Sequence, residues 1–153
     1  MAENDASRSL TDLADGIRVA MVTSPAPTGL DARPLTVQRV DDDRVWFLVA
    51  RDAEWLPAAS AGPINVALST DDRWVSLSGR ASLVTDPGAI AELGDPISDA
   101  WFHGDHPPAA LRVDVEHGDW WASAGGPRVA VELVKAKLTG AEPDTGDRGA
   151  VDV

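Results

Sequence analysis

The stretch from Trp74 to Asp86, WVSLSGRASLVTD, constrains the fold more than any other part of the chain. Val75 and Leu77 alternate with Trp74, Ser76 and Ser78, the period of two expected of a half-buried strand. Gly79 interrupts the pattern where a residue without Cβ permits a bulge or a close backbone approach. Ala81 and Leu83 resume it. Asp86-Pro87 then has the form of an N-cap followed by proline at the first helical position. One long strand kinked at a glycine is how a small barrel bends its wall. Arg33–Val37 and Val45–Val49 have the same strand character.

The flanking sequence supplies the other walls. Ser9-Leu10-Thr11-Asp12 resembles a capping box, with Gly16 as the stop of a short helix. Ile17, Val19 and Met21 alternate with Arg18, Ala20 and Val22 in a first strand, and Ser24 to Asp31 reads as a turn. A second strand, from about Ala32 to Val40, turns through Asp41-Asp42-Asp43 into a third, Arg44 to Ala50, as a hairpin. Asp52 is the expected cap of a helix through Ala61 that must tolerate Pro57. Ile64 to Leu68 and Trp74 to Thr85 are strands four and five. A helix follows from Pro87 to about Leu93, then a helical turn over Pro96 to Phe102. Leu111, Val113 and Val115 mark a sixth strand. Residues 129–138 fit both periods, and Pro127 in front with Gly140 behind favours helix. From Ala141 the chain is rich in Gly, Pro and Asp, so a loose tail over 141–153 is expected behind one domain over 1–140. The fold class is mainly β with short helices (α+β), a compact six-stranded antiparallel barrel.

Charge and composition exclude several functions. Among 153 residues the net charge is −12, which repels phosphate backbones and anionic membranes alike. No apolar run approaches the roughly 20 residues needed to span a bilayer. The opening MAENDASRSL is polar and acidic, unlike a signal or transit peptide. Cytoplasmic is therefore the default expectation. Cysteine is absent, removing disulfides, thiolate catalysis and iron–sulfur ligation. Lys135 and Lys137 are the only lysines, so an anion in the central region falls to arginine, hydroxyls or backbone N–H groups. No G-x-S-x-G elbow or paired-carboxylate signature is present. His103, Asp105 and His106, with His117 and Asp119 further on, are metal-ligand types, but a Pro-rich loop is poor ground for a closed site, and no metal is expected. Asp41–Asp43 reads as a solvated turn. Trp55, Trp74, Trp101, Trp120 and Trp121 read first as core or dimer contacts, with some available to wall a flat ligand.

With these strands in place the chain resembles the general-stress-protein branch of the pyridoxamine phosphate oxidase-like, FMN-binding split-barrel superfamily. The carriers of the resemblance are Arg33-Pro34-Leu35-Thr36, Trp46-Phe47-Leu48, Gly62-Pro63-Ile64-Asn65-Val66 and Val75 to Ala81. Ala100-Trp101-Phe102, Asp119-Trp120-Trp121 and Ala136-Lys137-Leu138-Thr139-Gly140 continue it. The resemblance implies a homodimer packed barrel to barrel, with FMN in the groove between subunits. It assigns Arg33, Pro34, Leu35 and Thr36, with Leu48 and Val49, to the flavin lining. The family places a Ser-x-Lys or Arg-Lys element after the third strand. Here the equivalent residues are Ala53, Glu54 and Trp55, so the basic pair has become an acid and an indole, with Arg51 as the nearest substitute cation. Charge-assisted hydrogen bonds contribute about 1.5–3 kcal/mol each, so losing two would weaken phosphate binding by roughly two to four orders of magnitude.

The resemblance therefore implies an FMN- or deazaflavin-dependent oxidoreductase without an evident catalytic residue. A flavin carrier without turnover, or a stress-linked dimer that keeps only the fold, are the alternatives.

Overall fold

The computed structural model describes residues 7–94, 107–123, 134, 137–138, 140 and 146–153. In chain order these form β1 (Arg8–Ser9), α1 (Leu10–Ala14), β2 (Val19–Ala26), β3 (Gly29–Val40), β4 (Arg44–Ala50) and α2 (Leu56–Ala61). They continue with β5 (Pro63–Ser69), β6 (Arg73–Val84), α3 (Pro87–Leu93), β7 (Pro108–Ser123) and β8 (Gly146–Asp152). Six strands run β3-β4-β7-β6-β5-β2, and β2 closes on β3. Every contact in that ring is antiparallel. The expected six-stranded barrel is therefore present, with β8 and β1 added outside it.

The long bent strand is β6. Its pairing with β7 shifts register between Ser78↔His117 and Gly79↔Val115, which leaves Glu116 as the extra residue of a bulge. A Cβ on Gly79 would collide with the Asp114 carbonyl, so glycine there is a requirement of close backbone approach. Arg80, just past the bend, sits 3.6 Å from the Glu116 carboxylate.

Inside the ring, Phe47, Leu111, Val113, Val45, Val22, Val66 and Leu77 are fully buried. Leu10 and Leu13 of α1 join the same core. Ser9 caps that helix by accepting the Asp12 N–H at 3.2 Å, and Gly16 stops it at φ +77°. Asp86 caps α3 by accepting from the Ala89 N–H at 3.0 Å.

Several boundaries differ from those the sequence suggests. The turn shrinks to Pro27 and Thr28, because β2 and β3 pair as far as Ala26↔Gly29. Pro25 is tolerated there since the β5 ladder has already ended at Thr23↔Asn65. Within β2 it is Ala20, Val22 and Ser24 that are buried, leaving Val19 and Met21 exposed. The second helix begins at Leu56 rather than behind Asp52, and Trp55 takes its cap position without a side-chain bond. Proline has no N–H to close a helical turn, so Pro57 fits only where that N–H is unused, in the first turn.

The sixth strand extends well past Val115, through Trp120 and Trp121. The loose-tail reading is also corrected over residues 146–152, which form β8 against β7. β4 leaves the β7 edge at Asp114, and β8 takes up that edge from Asp119 to Ser123, which avoids a bare strand edge. Val134, Lys137 and Leu138 are helical; the rest of 129–138, the turn over 96–102, Trp101 and the His103–His106 group lie outside the described residues.

Candidate functional site

The barrel wall opens along one seam. β3 and β4 pair from Val40↔Val45 only to Val37↔Phe47, with a register shift between Val37 and Arg39. Beyond that point Gly29–Thr36 pairs with β2 alone, and Leu48–Ala50 pairs with β7 alone. Among the described residues, two strand edges are thus left without a ladder partner, and the seam between them is the candidate slot. Six of the candidate residues, Arg33, Pro34, Leu35, Thr36, Leu48 and Val49, lie on the two strands that flank it. Alternation along each strand turns Arg33 and Leu35 inward while Pro34 and Thr36 face out. Val49 is a core residue at 4% exposure, so only its backbone borders the slot, whereas Leu48 is half-buried on the outer side.

Arg33 is held firmly. It stands opposite Val22 in register, and its Nη1 donates to the Oγ of buried Ser24 at 2.9 Å. The guanidinium carbon lies 4.2 Å from the centroid of the Trp55 ring. A second, longer bond runs from Nη2 to the Asp31 carbonyl at 3.5 Å. Arg39, Arg44, Arg80 and Arg112 each pair with a carboxylate. Among the described residues, Arg33 has none within ion-pair range. A guanidinium carries five N–H donors, and these contacts leave most of them open.

Arg51 and Glu54 are elsewhere. Both line a separate open hollow of about 470 Å³ with Pro57, Ser60 and Leu83, to which neither Arg33 nor Trp55 contributes. Leu83 keeps the phase of its strand but is left exposed beside that hollow. The structure brings Arg33 and Trp55 together, while Arg51 borders the other hollow.

A feature unremarked in the sequence lies on the outer wall. Val19, Met21, Pro34, Ala67, Trp74 and Trp121 line an open hollow of about 480 Å³. Trp74 and Trp121 face each other across β6 and β7 and are 48% and 43% exposed. Part of the signal for it was available: β2 carries apolar residues on both faces, of which only one can be core, and Trp74 stands beside serines on the outer face of β6.

Trp120 and Trp46 have structural duties. Trp120 is core, with the Arg8 guanidinium 5.0 Å from its ring. Trp46 donates from Nε1 to Asp41 at 2.8 Å, and Arg39 grips the same carboxylate through Nε at 2.8 Å and Nη2 at 3.1 Å. The Arg39 hydrogen bonds, aided by the Trp46 N–H, hold the Asp41 carboxyl below its ordinary range. Asp41 is thus an anchored residue rather than part of a solvated turn; Asp42 and Asp43 are exposed. No group of three metal-ligand types gathers among the described residues, and none of their helices is long and apolar enough to cross a membrane.

A closed antiparallel barrel opened along one seam, with an arginine fixed beside that seam, defines a split-barrel protein. The chain belongs to the pyridoxamine 5′-phosphate oxidase-like family, whose model matches residues 5–144. Among solved structures it is similar to a protein from Jannaschia sp. CCS1 assigned as general stress protein 26. That match has 26% identity and a TM-score of 0.68, covering 93% of this chain and 94% of the other. A general stress FMN/FAD binding protein from Xanthomonas citri shares 27% identity at a TM-score of 0.65, over 74% and 86% of the two chains. General stress protein 26 from Bacillus anthracis str. Sterne shares the fold at 13% identity and a TM-score of 0.64, over 72% and 89%. No curated protein matches the chain.

Proposed function

We infer that this chain is a flavin-binding homodimer of the general-stress type that takes FMN at the slot between β3 and β4. The observation that carries the reading is Arg33. In a chain of net charge −12, its guanidinium stands beside unpaired strand edges with no carboxylate in range among the described residues. The residues fit the group in kind. Backbone groups of 33–36 and 48–50 can hydrogen-bond a pyrimidine edge, Pro34 and Leu48 offer apolar surface to a flat ring, and Arg33 is the cation for a phosphate. The description of the Xanthomonas citri relative as an FMN/FAD binding protein supports the same class of ligand.

When bound, FMN supplies hydride and electron transfer. The chain's own part is to bind, orient and shield it, since none of the slot residues named above is a general acid or base. That fact equally favours a second reading, a flavin carrier without turnover. Protein purified under mild conditions is expected to be yellow or to quench added FMN fluorescence at micromolar concentration. NAD(P)H consumption by the loaded protein then separates enzyme from carrier. Colourless protein that leaves FMN fluorescence unchanged overturns both.

A further inference from the structure

By the resemblance, Ala53-Glu54-Trp55 stand where the family carries its basic phosphate turn, and the structure sets the Trp55 ring against Arg33. We propose that Trp55 is a positioning residue, clamping the Arg33 guanidinium so that its open N–H edge is presented to the flavin phosphate. The proposal rests on the flavin reading above and assigns the residue that makes a single arginine sufficient.

A guanidinium donates hydrogen bonds in its own plane, whereas an aromatic ring engages its face. The Arg33 guanidinium carbon lies 4.2 Å from the centroid of the Trp55 ring, a contact that a π face makes without taking a hydrogen-bond acceptor's place. One of the guanidinium donors goes to Ser24 Oγ at 2.9 Å, whose residue is 1% exposed. The two contacts fix the group from independent elements. Ser24 belongs to β2, which pairs with β3 along its length and with β5 over Met21–Thr23. Trp55 packs against the core and leads into α2, whose Leu56 and Ala59 are buried. An arginine tethered by both contacts loses little further freedom on meeting an anion, and preorganisation of this kind raises affinity without adding a contact. Glu54, the acid of the same turn, faces the hollow beside Leu83 instead. The two residues therefore have different placements, Trp55 against the arginine and Glu54 at the hollow.

The test compares dissociation constants for FMN and riboflavin, which differ by the phosphate, in wild type, Trp55→Phe, Trp55→Leu, Arg33→Ala and the Arg33→Ala/Trp55→Leu double variant. Wild type is expected to prefer FMN over riboflavin by at least tenfold. Trp55→Leu, which keeps an apolar side chain without a π face, should lose about five- to thirtyfold for FMN and less than twofold for riboflavin. Trp55→Phe should stay within about threefold of wild type for both. In the Arg33→Ala background the Trp55→Leu change should add nothing, because the indole acts through the arginine. Circular dichroism and thermal melting establish that each variant is folded, and the Phe/Leu comparison stands even if smaller substitutions are not tolerated. Equal losses for both flavins, or a Trp55→Leu effect that persists without Arg33, overturns the clamp while leaving the flavin reading intact. Equal wild-type affinity for FMN and riboflavin overturns it in the same way. Failure of wild type to bind either flavin removes the flavin reading itself, and the clamp with it.

Discussion

At the scale of single residues, backbone contact decides more than side-chain chemistry. Gly79→Ala must displace the Asp114 carbonyl, and the new Cβ would also stand 3.0 Å from the Val115 Cα. Overpacking of this kind costs about 1–3 kcal/mol, which for a chain of this size lowers Tm by roughly 2–12 °C. Thermal melting checks it, and a melt unchanged from wild type would mean the bulge relaxes freely. Asp41 carries a pH prediction. Its carboxyl is depressed by Arg39, then by the Trp46 N–H, so its contribution to stability is present above the unfolded carboxylate pKa of about 3.9. That contribution is lost as pH falls through the lower folded value. Asp41→Asn should therefore be less stable than wild type at pH 7, with the gap closing in denaturant titrations toward pH 2–3. Glu54→Arg tests a placement instead. Glu54 is exposed and borders a hollow to which Arg33 does not contribute, and exposed charges interact weakly, so the change in FMN affinity should stay within about threefold.

Among the elements, α1 and β8 show where local sequence suffices and where it does not. Ser9 and Gly16 bracket α1 with signals that act within a few residues, and the helix forms where they put it. Its Leu13 is fully buried, so Leu13→Ala should cost about 2–5 kcal/mol, read from urea melts. The bend at Gly79 was equally visible, because a glycine inside an alternating run has few other uses. β8 had no such signal. Its glycines and aspartates at 146, 147, 149 and 152 have turn-like propensity, and the strand exists because the lower half of β7 lacks a neighbour. That cause lies about thirty residues upstream and cannot be read in a local window. The site divides the same way. Arg33, Pro34, Leu35, Thr36, Leu48 and Val49 are assigned by the resemblance, and all six lie on the two strands that part at one seam. The Arg33–Trp55 contact was hidden, since it joins residues brought together only by the path of the chain into α2. The phase of β2 was hidden too, because Val19 and Met21 are as apolar as the residues that turn inward.

At the scale of the whole molecule, the outer wall is at odds with the rest of the surface. The chain is strongly acidic, yet Val19, Met21, Trp74 and Trp121 are each more than 40% exposed and share one hollow with Pro34, the outward neighbour of Arg33. Exposed apolar patches of this kind mark interfaces, and a second copy of the chain is the occupant that the dimer proposal supplies. A two-fold contact is self-complementary, so each indole pair would be covered by the same face of the other subunit, with the slot at the border of the contact. Trp74→Glu and Trp121→Glu together place two charges on each side of such an interface. Light scattering is expected to show wild type as a dimer at tens of micromolar and the double variant as a folded monomer. If slot and interface are continuous, FMN affinity should fall at least tenfold with the loss of the dimer. Wild-type protein that scatters as a monomer would sink the dimer reading. A monomeric variant that binds FMN as tightly as wild type would instead confine the site to one subunit.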